Sequence, residues 1–178
     1  AEMAHVAQKR GYKYLAICDH SPRLRVAGGV SPADLKKKKK EIEGINAKVK
    51  NFRILFGTEV EIDMDGNLDY NNTILSDFDI VIAAIHSGFK QSKEKITKRL
   101  LKVCQNKHVH VIAHPTGRHI GKRDPFAVDF KAFCKAATDN NVFLEINAFP
   151  SRLDLDSAHI YFARNQGAKF TINTDAHR

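Results

Sequence analysis

Cysteine is scarce in this chain, and what there is does not form a pattern. Three occur in 178 residues, Cys18, Cys104 and Cys134, an odd number with no C-x-x-C spacing, each in an apolar or helical stretch. That excludes a disulfide scaffold and a zinc ribbon, and fits buried thiols in a reducing compartment, the cytoplasm. Long apolar runs are also missing. None approaches the ~20 residues needed to cross a bilayer, so no membrane partner is expected. There is no Walker A loop, no G-x-G-x-x-G turn and no Ser-His-Asp order, which removes P-loop, dinucleotide and triad chemistry. Acidic residues are outnumbered, 20 Asp+Glu against 29 Lys+Arg, for a net charge of +9. The excess favours a negatively charged partner such as phosphate or nucleic acid. A hydrophobic fraction of 43% over this length suffices for one core.

What is present is a repeated arrangement. Ala168-Lys169-Phe170-Thr171-Ile172 reads as a buried strand and is followed by Asn173-Thr174-Asp175-Ala176-His177. Tyr14 to Cys18 leads to Asp19-His20, and Arg53 to Phe56 leads through Gly57-Thr58 to Glu59. Ile80 to Ile85 ends in His86, and Val109 to Ala113 ends in His114. Five apolar strands each deliver a His, Glu or Asp at the C-terminal end, and all of these are metal-ligand types.

Helical patterns separate the strands. Ser31-Pro32-Ala33-Asp34 has Ser at the N-cap, Pro at N1 and an acid at N3. It opens a helix that runs to about Lys50, with Leu35, Ile42, Ile45 and Val49 on one face. The spacing predicts further helices over Lys93 to Gln105, about Val128 to Asn140, and about Asp156 to Asn165, and a strand over Val142 to Ile146. Asp63-Met64-Asp65-Gly66-Asn67 reads as a tight turn; as an EF-hand loop it fails, because Asn72 stands where the closing Glu belongs. Alternating strands and helices imply parallel strands joined by right-handed crossovers. Candidate ligands on almost every strand end favour a barrel, whose mouth gathers all strand ends, over an open sheet with one switch point.

His20, Glu59, His86, His114, Asp175 and His177 would then meet at one rim. A mixed N/O set suits Zn²⁺, Mn²⁺ or Fe²⁺ better than Ca²⁺, and six ligands exceed the needs of one ion. Two nearby ions can clamp a phosphoryl oxygen and activate water. His5, His108, His110, His119 and His159 lack the strand-end context. Arg118 is the first candidate for a phosphate contact, with Arg152 and Arg23 behind it; Arg25 lies in the same basic loop as Arg23, and Arg123 follows Arg118. Asp19 is a catalytic candidate, either orienting a ligand imidazole or capping a turn.

The stretches Asp19-His20-Ser21, Gly57-Thr58-Glu59-Val60-Glu61-Ile62 with Gly66 to Tyr70, His86-Ser87-Gly88-Phe89, His114 to Arg118, Glu145 to Ala148 with Arg152 to Leu155, and Asn173 to His177 resemble, in order, the PHP (polymerase and histidinol phosphatase) domain. The resemblance is strongest to the version at the C-terminus of family X DNA polymerases. It implies a distorted TIM-like (βα)7 barrel in the α/β class, holding two to three divalent ions. Glu59, His86 and His114 would hold one ion, Glu59 would bridge to a second on Asp175, and His20 and His177 would share a third. The family's opening strand carries His-x-His and a nearby Asp. This chain begins in the helix that should follow it and stops at Arg178, so residues 1–178 are expected to be one PHP domain, incomplete, with its first strand missing and its C-terminus cut. The implied activity is Mn²⁺-dependent 3′–5′ exonuclease or 3′-end processing of DNA beside an upstream polymerase domain. The alternatives are a histidinol-phosphate-type phosphatase and a non-catalytic scaffold module.

Overall fold

A computed structural model of the chain describes residues 2–24 and 28–177; Arg25 and Arg178 lie outside the described residues. Helix α1 (Glu2–Lys9) leads into strand β1 (Tyr14–His20), then α2 (Pro32–Asn46), β2 (Arg53–Glu61), the single turn α3 (Asn72–Leu75), β3 (Ile80–Ala84), α4 (Lys93–Cys104), β4 (Val111–Ile112), α5 (Phe130–Asp139), β5 (Phe143–Asn147), α6 (Ser157–Asn165) and β6 (Phe170–Asn173). The helices start where the sequence places polar caps: Ser31, Asn71, Ser92, Asp129 and Asp156 each accept a backbone N–H of the first turn.

The six strands form one sheet in chain order, β1 to β6, with every pairing parallel. Five inter-strand spacings of about 4.8 Å would separate β1 and β6 by about 24 Å in a flat sheet. Yet the His20 and His177 rings, one ending β1 and the other just past β6, are 5.9 Å apart. The sheet is therefore curled into an open, incomplete TIM-like barrel, as the sequence predicts. Strand extents differ from the sequence expectation: β1 and β2 run on through His20 and Glu61, so Asp19, His20 and Glu59 lie within strands, and β4 narrows to two residues.

Alternation along each strand assigns the two faces. Ile54, Phe56, Val60, Val81, Ala83, Ile112 and Leu144 point outward to the helices and join the main core with Ile96, Leu100, Phe133 and Ala163. Cys18, Ile80, Ile82, Ala84, Val111, Ala113 and Phe143 pack together as a smaller inner cluster. Continuing the inner face toward the C-terminal ends of the strands replaces apolar residues with His20, Glu59, Glu61, Glu145, Asn147 and Asn173. The polar site is thus the mouth of an otherwise apolar barrel. All three cysteines are free thiols. Among the described residues no helix is long and apolar enough to cross a membrane.

Candidate metal centre

Glu59 lies at the middle of the mouth. Its Oε1 is 3.2 Å from Nε2 of His86 and 3.2 Å from Nε2 of His114, and its Oε2 is 3.8 Å from Nδ1 of His20. One donor atom from each of His20, Glu59 and His86 lies within 4.8 Å of the others. The ring of His86 is 5.3 Å from that of His20 and 5.1 Å from that of His114. Asp175 carries His177 into the same space, its backbone carbonyl accepting from Nδ1 of His177 at 2.8 Å. All six residues expected at the rim therefore come together. Two of them, His114 (φ 30°) and Asp175 (φ 52°), sit in left-handed backbone conformations. Non-glycine residues adopt that region at a cost, and such strain concentrates at functional sites.

The cluster is electrostatically tight. Burial pushes the Glu59 carboxyl up, but hydrogen bonds from His114 and His86 outweigh it and hold the group well below its ordinary range. Burial alone would lower His86; Glu59 and Glu61 on either side raise it to about 9. Burial dominates at His20 and lowers it. Three imidazoles thus face one ionised carboxylate. The Nδ1 atoms of His20 and His114 are buried with no hydrogen-bond partner. This N/O donor set, with the unsatisfied Nδ1 of His20 turned toward Glu59, fits a divalent transition-metal ion.

A supporting layer holds the candidate ligands in place. Nδ1 of His86 donates to Oε2 of Glu61 at 2.7 Å, which turns Nε2 toward Glu59. Glu61 Oε1 also accepts from the His86 amide at 3.3 Å and the Ser87 hydroxyl at 3.0 Å. Glu145 accepts the His114 amide at 2.5 Å and the Asn173 side chain at 2.7 Å. Asn147 Nδ2 donates to Glu145 and to Asp175, each at 3.1 Å. Glu61 fixes the orientation of the His86 ring, as a carboxylate behind a metal-binding imidazole does, and Glu145 fixes the His114 backbone. The sequence reading assigned no such role to Glu61, Glu145 or Asn147. Strand parity was the available signal: Glu61 is two residues beyond Glu59 on one face, and Asn147 two beyond Glu145.

The other sequence candidates separate. Asp19 precedes His20 in β1, so it points to the opposite face, where it pairs with Lys38 of α2. It does not orient the imidazole of His20. Arg118 donates Nε to the Arg152 carbonyl at 3.0 Å and Nη2 to the Leu153 carbonyl, with Asp156 3.7 Å away. Its fork is spent on a neighbouring loop rather than held open for phosphate. Arg23 is held by Asp63 and Asp69, each at 3.2 Å. Arg123 stacks over Phe89, 3.7 Å from the ring centre. Of these four arginines only Arg152 touches the cluster: its Nε lies 3.2 Å from Asp175, and its buried Nη1 has no partner.

No family model matches the chain. It is 49% identical over 176 residues to the DNA polymerase/3′-5′ exonuclease PolX of Bacillus subtilis, covering 99% of this chain and 31% of that protein. It is 32% identical over 187 residues to a probable phosphatase of Thermoanaerobacter sp. (strain X514), covering 99% of this chain and 71% of that protein. In fold it matches the crystal structure of histidinol phosphate phosphatase from Lactococcus lactis, solved with zinc, L-histidinol and phosphate. That match has a TM-score of 0.69 at 18% identity and covers 99% of this chain and 80% of the other. The chain therefore spans 31% of the length of the polymerase and 71% of the phosphatase. A curled parallel sheet with His, Glu and Asp gathered at its mouth, together with these relatives, places the chain in the PHP family of metal-dependent phosphoester hydrolases.

Proposed function

We propose that the chain hydrolyses phosphodiester bonds at DNA 3′ ends, as the 3′–5′ exonuclease or 3′-end-processing domain of a family X DNA polymerase whose polymerase domain lies upstream. The observation that carries this reading is Arg152, whose Nη1 is an unpaired, buried donor beside Asp175 in a mouth otherwise lined with candidate ligands. Glu59, His86 and His114 would hold one ion, Glu59 and Asp175 a second, and His20 with His177 a third. Mn²⁺, Zn²⁺ or Fe²⁺ suits these donors. Ions so held supply Lewis acidity, which neutralises phosphoryl charge and makes water a nucleophile at neutral pH.

The chain's own residues do the rest. Arg152 keeps its Nε on Asp175 and offers Nη1 to a phosphoryl oxygen, a charge-assisted contact. Asn147 donates to the same Oδ2 of Asp175 at 3.1 Å, so that oxygen is held from two sides as substrate arrives. Glu61 and Glu145 hold His86 and His114 against displacement. The net charge of +9 draws a polyanion toward the mouth. A second reading, a histidinol-phosphate-type phosphatase, is favoured by the relatives named phosphatases.

The test compares 3′-labelled single-stranded DNA with histidinol phosphate as substrates, in Mn²⁺, for this chain and the natural full-length protein. Arg152→Ala should lower kcat/KM on DNA about 10- to 100-fold, the value of a lost charge-assisted hydrogen bond. DNA binding should weaken steeply with salt. Hydrolysis of the monoester with none of the DNA would establish the second reading instead.

A further inference from the structure

Helix α4 turns Ile96, Arg99, Leu100 and Val103 inward, and Arg99 is only 1% exposed. A guanidinium in that position needs an explanation, since burying a charge without a carboxylate is expensive and a Met would fill the same space. Its partners are neutral oxygens. Nη2 donates to the Ile62 carbonyl at 2.7 Å, and Nη1 donates to the Ser87 carbonyl at 3.1 Å and to Gln91 Oε1 at 2.9 Å.

Ile62 directly follows Glu61, and Ser87 directly follows His86. One planar fork therefore ties the chain just past β2 to the chain just past β3, on either side of the Glu61–His86 hydrogen bond. Glycines keep the surroundings open. A Cβ on Gly88 (φ +71°) would collide with Met64 Sδ and lie 3.0 Å from Arg99 Nη1, and one on Gly66 (φ +77°) would lie 3.0 Å from the Arg99 Cα. The Gly88 turn is thus shaped around the guanidinium and Met64, and the Gly66 turn around the backbone of α4.

We propose that Arg99 is a positioning residue for the metal centre: by clamping the Ile62 and Ser87 carbonyls it sets the angle at which Glu61 holds the His86 imidazole. It touches neither substrate nor any candidate ligand. A lysine cannot replace it, because a single ammonium lacks the fixed fork that reaches two carbonyls in separate loops. The inference rests on His86 being a metal ligand, and the test keeps that separate.

Arg99→Met and Arg99→Lys are compared with the wild-type chain by three measurements: the ¹⁵N resonances of the His86 ring in metal-free protein, Zn²⁺ affinity by calorimetry, and the unfolding midpoint. In wild type the Nδ1–H of His86 should appear as one protected species. In Arg99→Met that signal should broaden or shift and Zn²⁺ affinity should fall about 10- to 100-fold, the usual effect of loosening a ligand's support; Arg99→Lys should fall between. Gln91→Ala, at the edge of the clamp, should weaken Zn²⁺ a few-fold, and it carries the test with Arg99→Lys if Arg99→Met does not fold. A lower midpoint with wild-type ring signals and wild-type Zn²⁺ affinity would overturn the proposal and leave Arg99 a core filler. If the wild-type chain binds no divalent ion, the metal reading fails, and the ring signal of the variants alone decides the role of Arg99.

Discussion

The His86 ring is held on both sides, by Glu59 at Nε2 and Glu61 at Nδ1, and Glu61 itself is only 4% exposed. Glu61→Gln keeps the shape but replaces a carboxylate acceptor with an amide. The apparent Kd for Mn²⁺ or Zn²⁺ should rise about 10- to 100-fold, read by titration; an unchanged Kd would mean that Glu61 does not support the ligand. Asp63 allows a prediction away from the ligands. Burial raises its carboxyl, but the Asn67 amide and side chain, the Asp65 amide and the Arg23 guanidinium prevail, holding it at about 2 against an ordinary 3.8. The folded value is the lower one, so the stabilisation is complete above about pH 4 and disappears as pH falls toward 2. Wild type should therefore lose more stability than Asp63→Asn on going from pH 5 to pH 2.5, and parallel melting curves would contradict this.

At the scale of elements, each helix is defined by a cap and a buried stripe. Ser31 accepts the Asp34 amide at 3.3 Å and donates its hydroxyl to the Asp34 carboxylate at 2.6 Å, closing the first turn of α2. Ser31→Ala should cost about 0.5–2 kcal/mol and leave metal affinity within about twofold, because α2 packs on the outer face of the sheet. Phe133 of α5 is fully buried in the helix–sheet layer. Truncation to Ala should cost about 3–5 kcal/mol. Urea unfolding measures both; equal losses would contradict the greater stabilisation by the core.

For the whole molecule, the open barrel leaves edges. Among the described residues β1 pairs only with β2 and β6 only with β5. Tyr14 on β1 is 64% exposed and Ile172 on β6 is 77% exposed. An unpaired edge beside exposed apolar side chains is a template for association. The chain should therefore self-associate at tens of micromolar, and Ile172→Lys should reduce light scattering without altering Zn²⁺ affinity. Equal scattering would place the association elsewhere.

Much of this was legible in the sequence because strand period and chain order are local properties. Apolar runs ending in His20, Glu59, His86, His114 and Asp175-x-His177, spaced by helical patterns, are enough to require parallel strands with their C-terminal ends facing one mouth. Strand parity, also local, could have set Asp19 on the outer face and Glu61 on the inner one. What no local pattern carries is the partner of a long side chain. Arg118, Arg152 and Arg99 are chemically identical in sequence, yet one braces a loop, one leaves a donor free beside Asp175, and one is buried as a clamp. Those outcomes depend on contacts between residues distant in the chain, which exist only after the sheet has curled and the loops at its mouth have met.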